Sequence, residues 1–323
     1  MNGTQFSKVS EHEGCAMKTV FVGAVEGSLR ALEALVASGK APDLVVTLHP
    51  TKAARHSDFA DLSEVARVAG SELLYATDIN DPATVQSIAA RAPDIALVIG
   101  WSQICRAPFR SVARLGTLGF HPAPLPRLRG RAAIPWTILA GLTETAATLF
   151  WIDAGCDTGD IAAQYPIPVS PRETARSLYD KQVDAMCQML PEVVADIEAD
   201  RISRHPQDPS LASYCARRRP EDGYIDWTRS AAELDRLIRA VGDPYPGAFT
   251  EFRGQVLTIA SARVFEGPPR YIGLPGQIQD QTSASFRVSC GDFTCLEVTG
   301  WHTASPAPLP RHGVLGQARQ VLA

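Results

Sequence analysis

The sequence predicts a doubly wound α/β domain with a mostly parallel sheet, followed by a smaller antiparallel β-barrel. Short apolar runs of the kind buried in parallel sheets recur through the first half of the chain, and segments with helical spacing separate them. The last third is instead rich in strands broken by Gly and Asp turns.

The first strand is read at 18–23 (KTVFVG) and runs into Gly23-Ala24-Val25-Glu26-Gly27. That turn lacks the Gly-x-Gly-x-x-Gly pattern that seats a dinucleotide, so an NAD site has no support; a tight strand-to-helix turn accounts for the glycines. A helix follows in SLRALEALVASG, and further strands are read at 43–48, 72–76 and 94–100. Strands at 117–121, 146–152 and 162–167 precede a long helix over 172–199. These strand ends bring His121 and Asp157 to one edge, and open α/β sheets bind ligands outside the carboxyl ends of their strands. From about Arg201 the chain turns polar and Pro-containing, as a linker does, before one more helix in SAAELDRLIRAV. The expected boundaries are 1–16 for a patternless extension, with Met17 an alternative start, 17–206 for the α/β domain and 207–323 for the linker and barrel-like domain.

At 323 residues, 45% hydrophobic and 20% charged, the chain is long enough for two cores. A net charge of -4 and a pI near 6.0 argue against a general nucleic-acid surface and leave room only for a local basic patch. No run approaches the roughly 18 apolar residues of a membrane span, and no apolar signal core precedes the first strand. The expected location is cytoplasmic, without a membrane partner. The seven cysteines are odd in number and include no Cys-x-x-Cys, so neither a disulfide frame nor a zinc site is suggested, and no metal is expected.

Two segments stand out chemically. His121 ends a strand and is followed by Pro122, Pro124 and Pro126, which restrict the backbone and hold the imidazole still. It reads equally as a structural histidine capping a strand end. Arg127, Arg129 and Arg131 then suit a solvated or phosphate-facing rim. The second segment, DAGCDTGDIAAQ from Asp153 to Gln164, is rich in Asp and Gly but lacks the alternating oxygen ligands and closing Glu of a calcium loop. A turn between two strands explains it as well.

Taken together, HPAPLPRLRGRAAIPW, ETAATLFWIDAGCDTGDIAAQ and DGYIDWTRSAAELDRLIRAVGDPYPGAF resemble the folate-dependent formyltransferases, a family that includes methionyl-tRNA formyltransferase and the bacterial amino-sugar N-formyltransferases. The resemblance spans residues 17 to about 260. It implies a Rossmann-like N-terminal domain that binds N10-formyltetrahydrofolate as co-substrate, and a C-terminal OB-like barrel. It also implies His121 and Asp157 as the catalytic pair, the Asp falling thirty-six positions after the His as in the family. Such chemistry needs a neutral amine to attack, a donor for the developing oxyanion and an acceptor for the amine proton. By the same resemblance, folate recognition falls to backbone at Gln103, Ile104 and Cys105 and to the loop containing Gly155, Cys156 and Asp157. Arg129, Arg131, Arg239 and Tyr245 are then candidates for acceptor binding, with interdomain packing as the alternative for Arg239 and Tyr245.

One position departs from the family. Its Asn-x-His motif places an amide donor two residues before the histidine, where this chain has Gly119. Losing one such donor costs roughly 3–4 kcal/mol of transition-state stabilisation unless another group supplies it. Three readings stay open: a replacement donor such as Ser102, Gln103, water or backbone; room for a different substrate pose; or a degenerate enzyme. The leading expectation is formyl transfer to a primary amine of a small acceptor, either a nucleotide-linked amino sugar or an amino acid. The alternatives are methionyl-tRNA as acceptor, a hydrolase releasing formate, and a noncatalytic folate-binding protein. A homodimer is left open.

Overall fold

The computed structural model describes residues 17–55, 58–303 and 309–316. The extension assigned to 1–16 lies outside the described residues. β1 (Thr19–Val22), α1 (Glu26–Ala37), β2 (Leu44–Thr47), α2 (Ser63–Ala69), β3 (Glu72–Tyr75), α3 (Pro82–Ala89) and β4 (Ile95–Val98) alternate as expected. α4 (Ala107–Arg110) leads to β5 (Gly116–His121), the two-residue β6 (Arg129–Gly130) and α5 (Ala133–Leu139). β7 (Glu144–Trp151), β8 (Ile161–Pro168) and the long α6 (Ala175–Glu198) complete this part.

The seven strands form one sheet in the order β3-β2-β1-β4-β5-β7-β8. The first five run parallel, and β7 pairs antiparallel with β5 on one side and with β8 on the other. Every residue of β1, β2 and β4 is buried, because helices cover both faces of the sheet; this is why these strands read as continuous apolar runs. Alternate side chains feed two cores. Phe21, Val45, Leu97 and Leu118 face α1 and α6, whereas Val20, Val22, Leu44 and Val98 fill the opposite side. Burying each such side chain contributes about 1.5–3 kcal/mol.

α6 starts at Thr174, whose hydroxyl accepts from Ser177 N at 3.1 Å while Ser177 Oγ accepts from Thr174 N at 3.0 Å. This reciprocal cap fixes where the helix leaves the sheet. No helix among the described residues is long and apolar enough to cross a membrane.

The polar segment after α6 is stitched to the sheet. Ile161 and His205 exchange two backbone bonds of 2.9 Å, and β9 (Tyr214–Cys215) pairs in parallel with β6. α7 (Ala231–Val241) follows, capped by Ser230 and Glu233, and buries Leu234, Leu237, Ile238 and Val241. β10 (Ala248–Phe252), β11 (Gln255–Val264), β12 (Ile278–Gln281), β13 (Phe286–Ser289) and β14 (Cys295–Thr303) form an antiparallel sheet in the order β10-β11-β14-β13-β12. Register shifts around Ser261 bend the long β11–β14 pair.

Candidate active site

β5 delivers His121 to the carboxyl edge of the sheet, and the first part of the loop after it is poor in backbone donors. Pro122, Pro124 and Pro126 have no N–H, so the loop's main need is for groups that satisfy its carbonyls. Neighbouring elements supply them: Gln182 of α6 donates to Pro122 O at 3.3 Å, Thr148 of β7 to Ala123 O at 2.6 Å, and Gln164 of β8 to Leu125 O at 3.1 Å. The His121 side chain is 7% exposed. Its Nε2 lies 2.8 Å from Leu128 O. A carbonyl only accepts, so Nε2 carries a proton and Nδ1 is the nitrogen left to exchange one with a reacting group.

Nδ1 faces Asp157 Oδ2 at 3.7 Å. The separation exceeds a direct hydrogen bond, so neither group consumes the other. Asp157 Oδ2 accepts from Gly130 N at 2.7 Å, which ties the carboxylate to the loop that also holds His121. Its own loop leaves β7 through a tight turn in which Asp153 Oδ1 accepts from Gly155 N and from Thr158 Oγ1. A Cβ at Gly159 would stand 1.7 Å from Trp151 O, so only glycine lets the turn close. Asp157 itself adopts φ +53°, a left-handed conformation that costs an L-residue energy and persists only when its surroundings hold it. Next to it, burial and then the Asp157 carboxylate push the Cys156 thiol up from its ordinary value.

The connecting segment completes the frame. Gln207 Nε2 donates to Asp157 O at 2.9 Å and to Gly159 O at 2.6 Å, and Gln207 Oε1 accepts from Arg129 Nε at 3.1 Å and Nη2 at 2.6 Å. Ser213 Oγ accepts from Leu128 N, and Ser213 O accepts from Arg129 N. Residue reasoning missed Gln207 and Ser213, because a polar, Pro-containing stretch reads as a tether.

Gly119 shares a strand face with His121. A Cβ there would stand 2.8 Å from Ile152 Cδ1, 2.9 Å from Ile152 Cγ1 and 3.2 Å from Phe150 Cε1. The space beside Gly119 is therefore filled by apolar side chains, which corrects the expectation of extra room for a substrate. Gln103 is not placed as a replacement donor either. Its Nε2 donates to Thr77 O at 2.8 Å, and its Oε1 accepts from Ile79 N and Trp101 Nε1, which ties the end of β4 to the turn after β3.

The three arginines of the loop have different fates. Arg127 is exposed and lies 3.7 Å from Glu144. Arg129 is not on a rim: it is 3% exposed, and its guanidinium is held by Gln207 and by Tyr214 Oη at 3.1 Å. Arg131 is exposed and donates to Ser102 O at 2.8 Å. Ile104 presents an exposed side chain while its carbonyl accepts from Asn80 Nδ2. Cys105 is buried, which pushes its thiol up to about 11. Arg239 is bound to Asp235 at 2.9 Å and donates to Glu173 O, so it packs α7 against the start of α6. Burial, with the nearby Asp58 carboxylate, raises the half-buried Tyr245 hydroxyl. Among the described residues no group of three or more His, Cys, Asp or Glu side chains is arranged to hold a metal.

The formyl transferase profile matches residues 17–194, and the profile of the formyl transferase C-terminal domain matches 218–310. The chain belongs to the formyl transferase family. This formyltransferase is 32% identical over 278 residues to a methionyl-tRNA formyltransferase of Syntrophus aciditrophicus (strain SB), covering 84% of this chain and 87% of that one. It is 32% identical over 295 residues to that of Chloroflexus aggregans (strain MD-66 / DSM 9485), covering 91% and 94%. Its fold is similar to an N-formyltransferase from Helicobacter canadensis in complex with folinic acid and dTDP-3-aminofucose, with a TM-score of 0.65 and 17% identity over 88% of this chain and 99% of that one. A sugar 3N-formyl transferase studied with dTDP and 5-N-formyl-THF superposes with a TM-score of 0.63 at 17% identity, covering 91% and 100%.

Proposed function

We propose that the formyltransferase moves a formyl group from N10-formyltetrahydrofolate to a primary amine of a small acceptor, a nucleotide-linked amino sugar or an amino acid. The observation that carries this reading is the pair of His121 Nδ1 and Asp157 Oδ2, 3.7 Å apart at the carboxyl edge of the sheet. The acceptor nitrogen bonds to the formyl carbon as the bond from that carbon to N10 breaks, giving a formamide and tetrahydrofolate. The attacking amine must lose a proton and N10 must gain one: Nδ1 takes the proton, directly or by way of Asp157, and the imidazolium so formed returns it to N10. Once protonated on Nδ1, His121 can also donate to the oxygen that gains charge, a role that matters more here because Gly119 carries no amide. Exposed Ile104 and half-buried Trp101, at the end of β4, offer apolar surface to the flat ring of a folate. A folate donor is further supported by the family and by the ligands named for the two structural neighbours.

Methionyl-tRNA as acceptor is the second reading, favoured by the curated relatives at 32% identity. The net charge of -4 and the use of Arg218 within the protein favour the small amine. Arg218 lies 5.2 Å from the Trp136 ring centroid and donates to Asp222 O at 2.7 Å. The test incubates the protein and formyl-folate with dTDP-3-aminofucose, ornithine and methionyl-tRNA, and detects a mass gain of one formyl group. Formylation of a small amine with none on methionyl-tRNA is expected; efficient tRNA formylation would make the second reading the correct one. Formate released without any amine would mark a hydrolase, and folate binding without turnover a binding protein.

A further inference from the structure

We infer that Gln207, in the segment joining the two units, is a positioning residue that clamps the Asp157 loop to the loop carrying His121. This rests on the reading of His121 and Asp157 as the reacting pair. The Gln207 carboxamide sits at the centre of four hydrogen bonds, two given and two received. Its orientation is fixed by chemistry: a guanidinium only donates and carbonyls only accept, so the oxygen must face Arg129 and the nitrogen must face Asp157 O and Gly159 O.

Both sides of the clamp reach the pair. On one side, Arg129 is 3% exposed and adjoins Gly130, whose N–H holds Asp157 Oδ2 at 2.7 Å. Among the described residues Arg129 has no carboxylate within ion-pair distance, so Gln207 and Tyr214 are what hold this buried cation in place. On the other side, Asp157 is kept at φ +53° with tethers at both ends, Gln207 on its carbonyl and Gly130 on its carboxylate. Removing the first tether frees a strained backbone to relax, and the carboxylate leaves its place opposite Nδ1.

Two substitutions separate positioning from stability. Gln207→Ala removes all four bonds. Gln207→Glu keeps an acceptor for Arg129 but presents oxygen to the two carbonyls, so it retains the anchor and loses the tether. Single-turnover transfer from N10-formyltetrahydrofolate is followed with dTDP-3-aminofucose, ornithine or methionyl-tRNA, whichever reacts fastest, beside folate affinity and thermal melting. Both variants are expected to lose about 30-fold or more in transfer with folate Kd within about threefold, and Gln207→Glu is expected to melt well above Gln207→Ala. In an Asp157→Asn background Gln207→Glu should cost less than about twofold more, because the group it positions is already gone. Transfer by Gln207→Glu within about threefold of wild type overturns the clamp, as do losses that multiply in the double variant or a Gln207→Glu melt as low as that of Gln207→Ala. If Asp157→Asn alone turns over normally, the reading of the reacting pair fails first, and the clamp falls with it.

Discussion

Gly119→Asn restores the family's side chain at the departed position, and to enter it must displace Ile152. Gly119 is buried in β5 between Val98 of β4 and Phe150 of β7. The obstacle is space: contacts of 2.8 and 2.9 Å to two successive atoms of Ile152 cannot be relieved by swinging its terminal methyl alone. Ile152 must change its χ1 rotamer or the strands must part, at about 1–3 kcal/mol for overpacking. An amide buried there without partners adds about 1–3 kcal/mol. The low end of the total, about 2 kcal/mol, corresponds to a fall in melting temperature of roughly 4–8 °C. Ile152→Ala alone should cost about 1–2 kcal/mol, less than at a fully buried site, because Ile152 is half-buried. The double variant should recover about 1–3 kcal/mol relative to the sum of the singles, since the alanine vacates the space the amide needs. Thermal melting of the four proteins measures this coupling, and single-turnover transfer accompanies it. Gly119→Asn melting within about 1 °C of wild type would refute the packing argument. A tenfold or larger rate gain in that single variant would refute the idea that Ile152 excludes the amide, and would mark the wild-type site as short of a donor.

Two further outcomes are expected away from that wall. Burial alone pushes the Glu173 carboxyl up, but hydrogen bonds from Lys181, Ser177 and Ser170 N outweigh it and hold it below the ordinary value. Glu173→Gln should therefore destabilise by about 1–3 kcal/mol at pH 7. A depressed carboxyl contributes its stability above its unfolded pKa and loses it as pH falls through the folded value, so the gap in melting temperature should narrow on acidification; a pH-independent gap would contradict the charge-based account. Cys156 is exposed on its loop and so accessible to reagent, but partial burial of its thiol and then the Asp157 carboxylate raise its pKa, so it should react with iodoacetamide at pH 7 more slowly than a free thiol, and faster once Asp157→Asn removes the carboxylate; mass mapping that shows free-thiol rates in the wild type would contradict it.

The central parallel strands were legible because burial on both faces leaves them almost wholly apolar, as in IALV of β4 and in LVVT of β2, where Thr47 is the one polar side chain. His121 was legible as the last residue of a strand, at the carboxyl edge where ligands bind, whereas the approach of Asp157 was not fixed by strand direction, because β7 runs antiparallel to β5 and its carboxyl end lies beside Leu118, so the 152–160 loop must fold back to reach the imidazole. What filled the space beside Gly119 was not legible either. That depends on the antiparallel register of β5 on β7, which sets Phe150 opposite Gly119 and brings Ile152 alongside, and no local pattern encodes it. Arg129 looked like a rim residue because an arginine among arginines is expected in water. Its neutral partners, Gln207 and Tyr214, come from some eighty residues further on, within a stretch whose composition reads as a linker. Gln103 was recognisable as a residue near the ligand edge, whereas its side chain turned out to brace the turn at Thr77 and Ile79.

The central claim is that the His121–Asp157 pair performs the transfer while other groups bind the donor. Single-turnover formyl transfer and equilibrium folate binding, measured on the same preparations of wild type, His121→Ala and Asp157→Asn, test it most directly. Each substitution is predicted to lower transfer by about two orders of magnitude or more with folate Kd changed by less than about threefold. Transfer within about tenfold of wild type in either variant, or a loss that folate affinity alone explains, would contradict it.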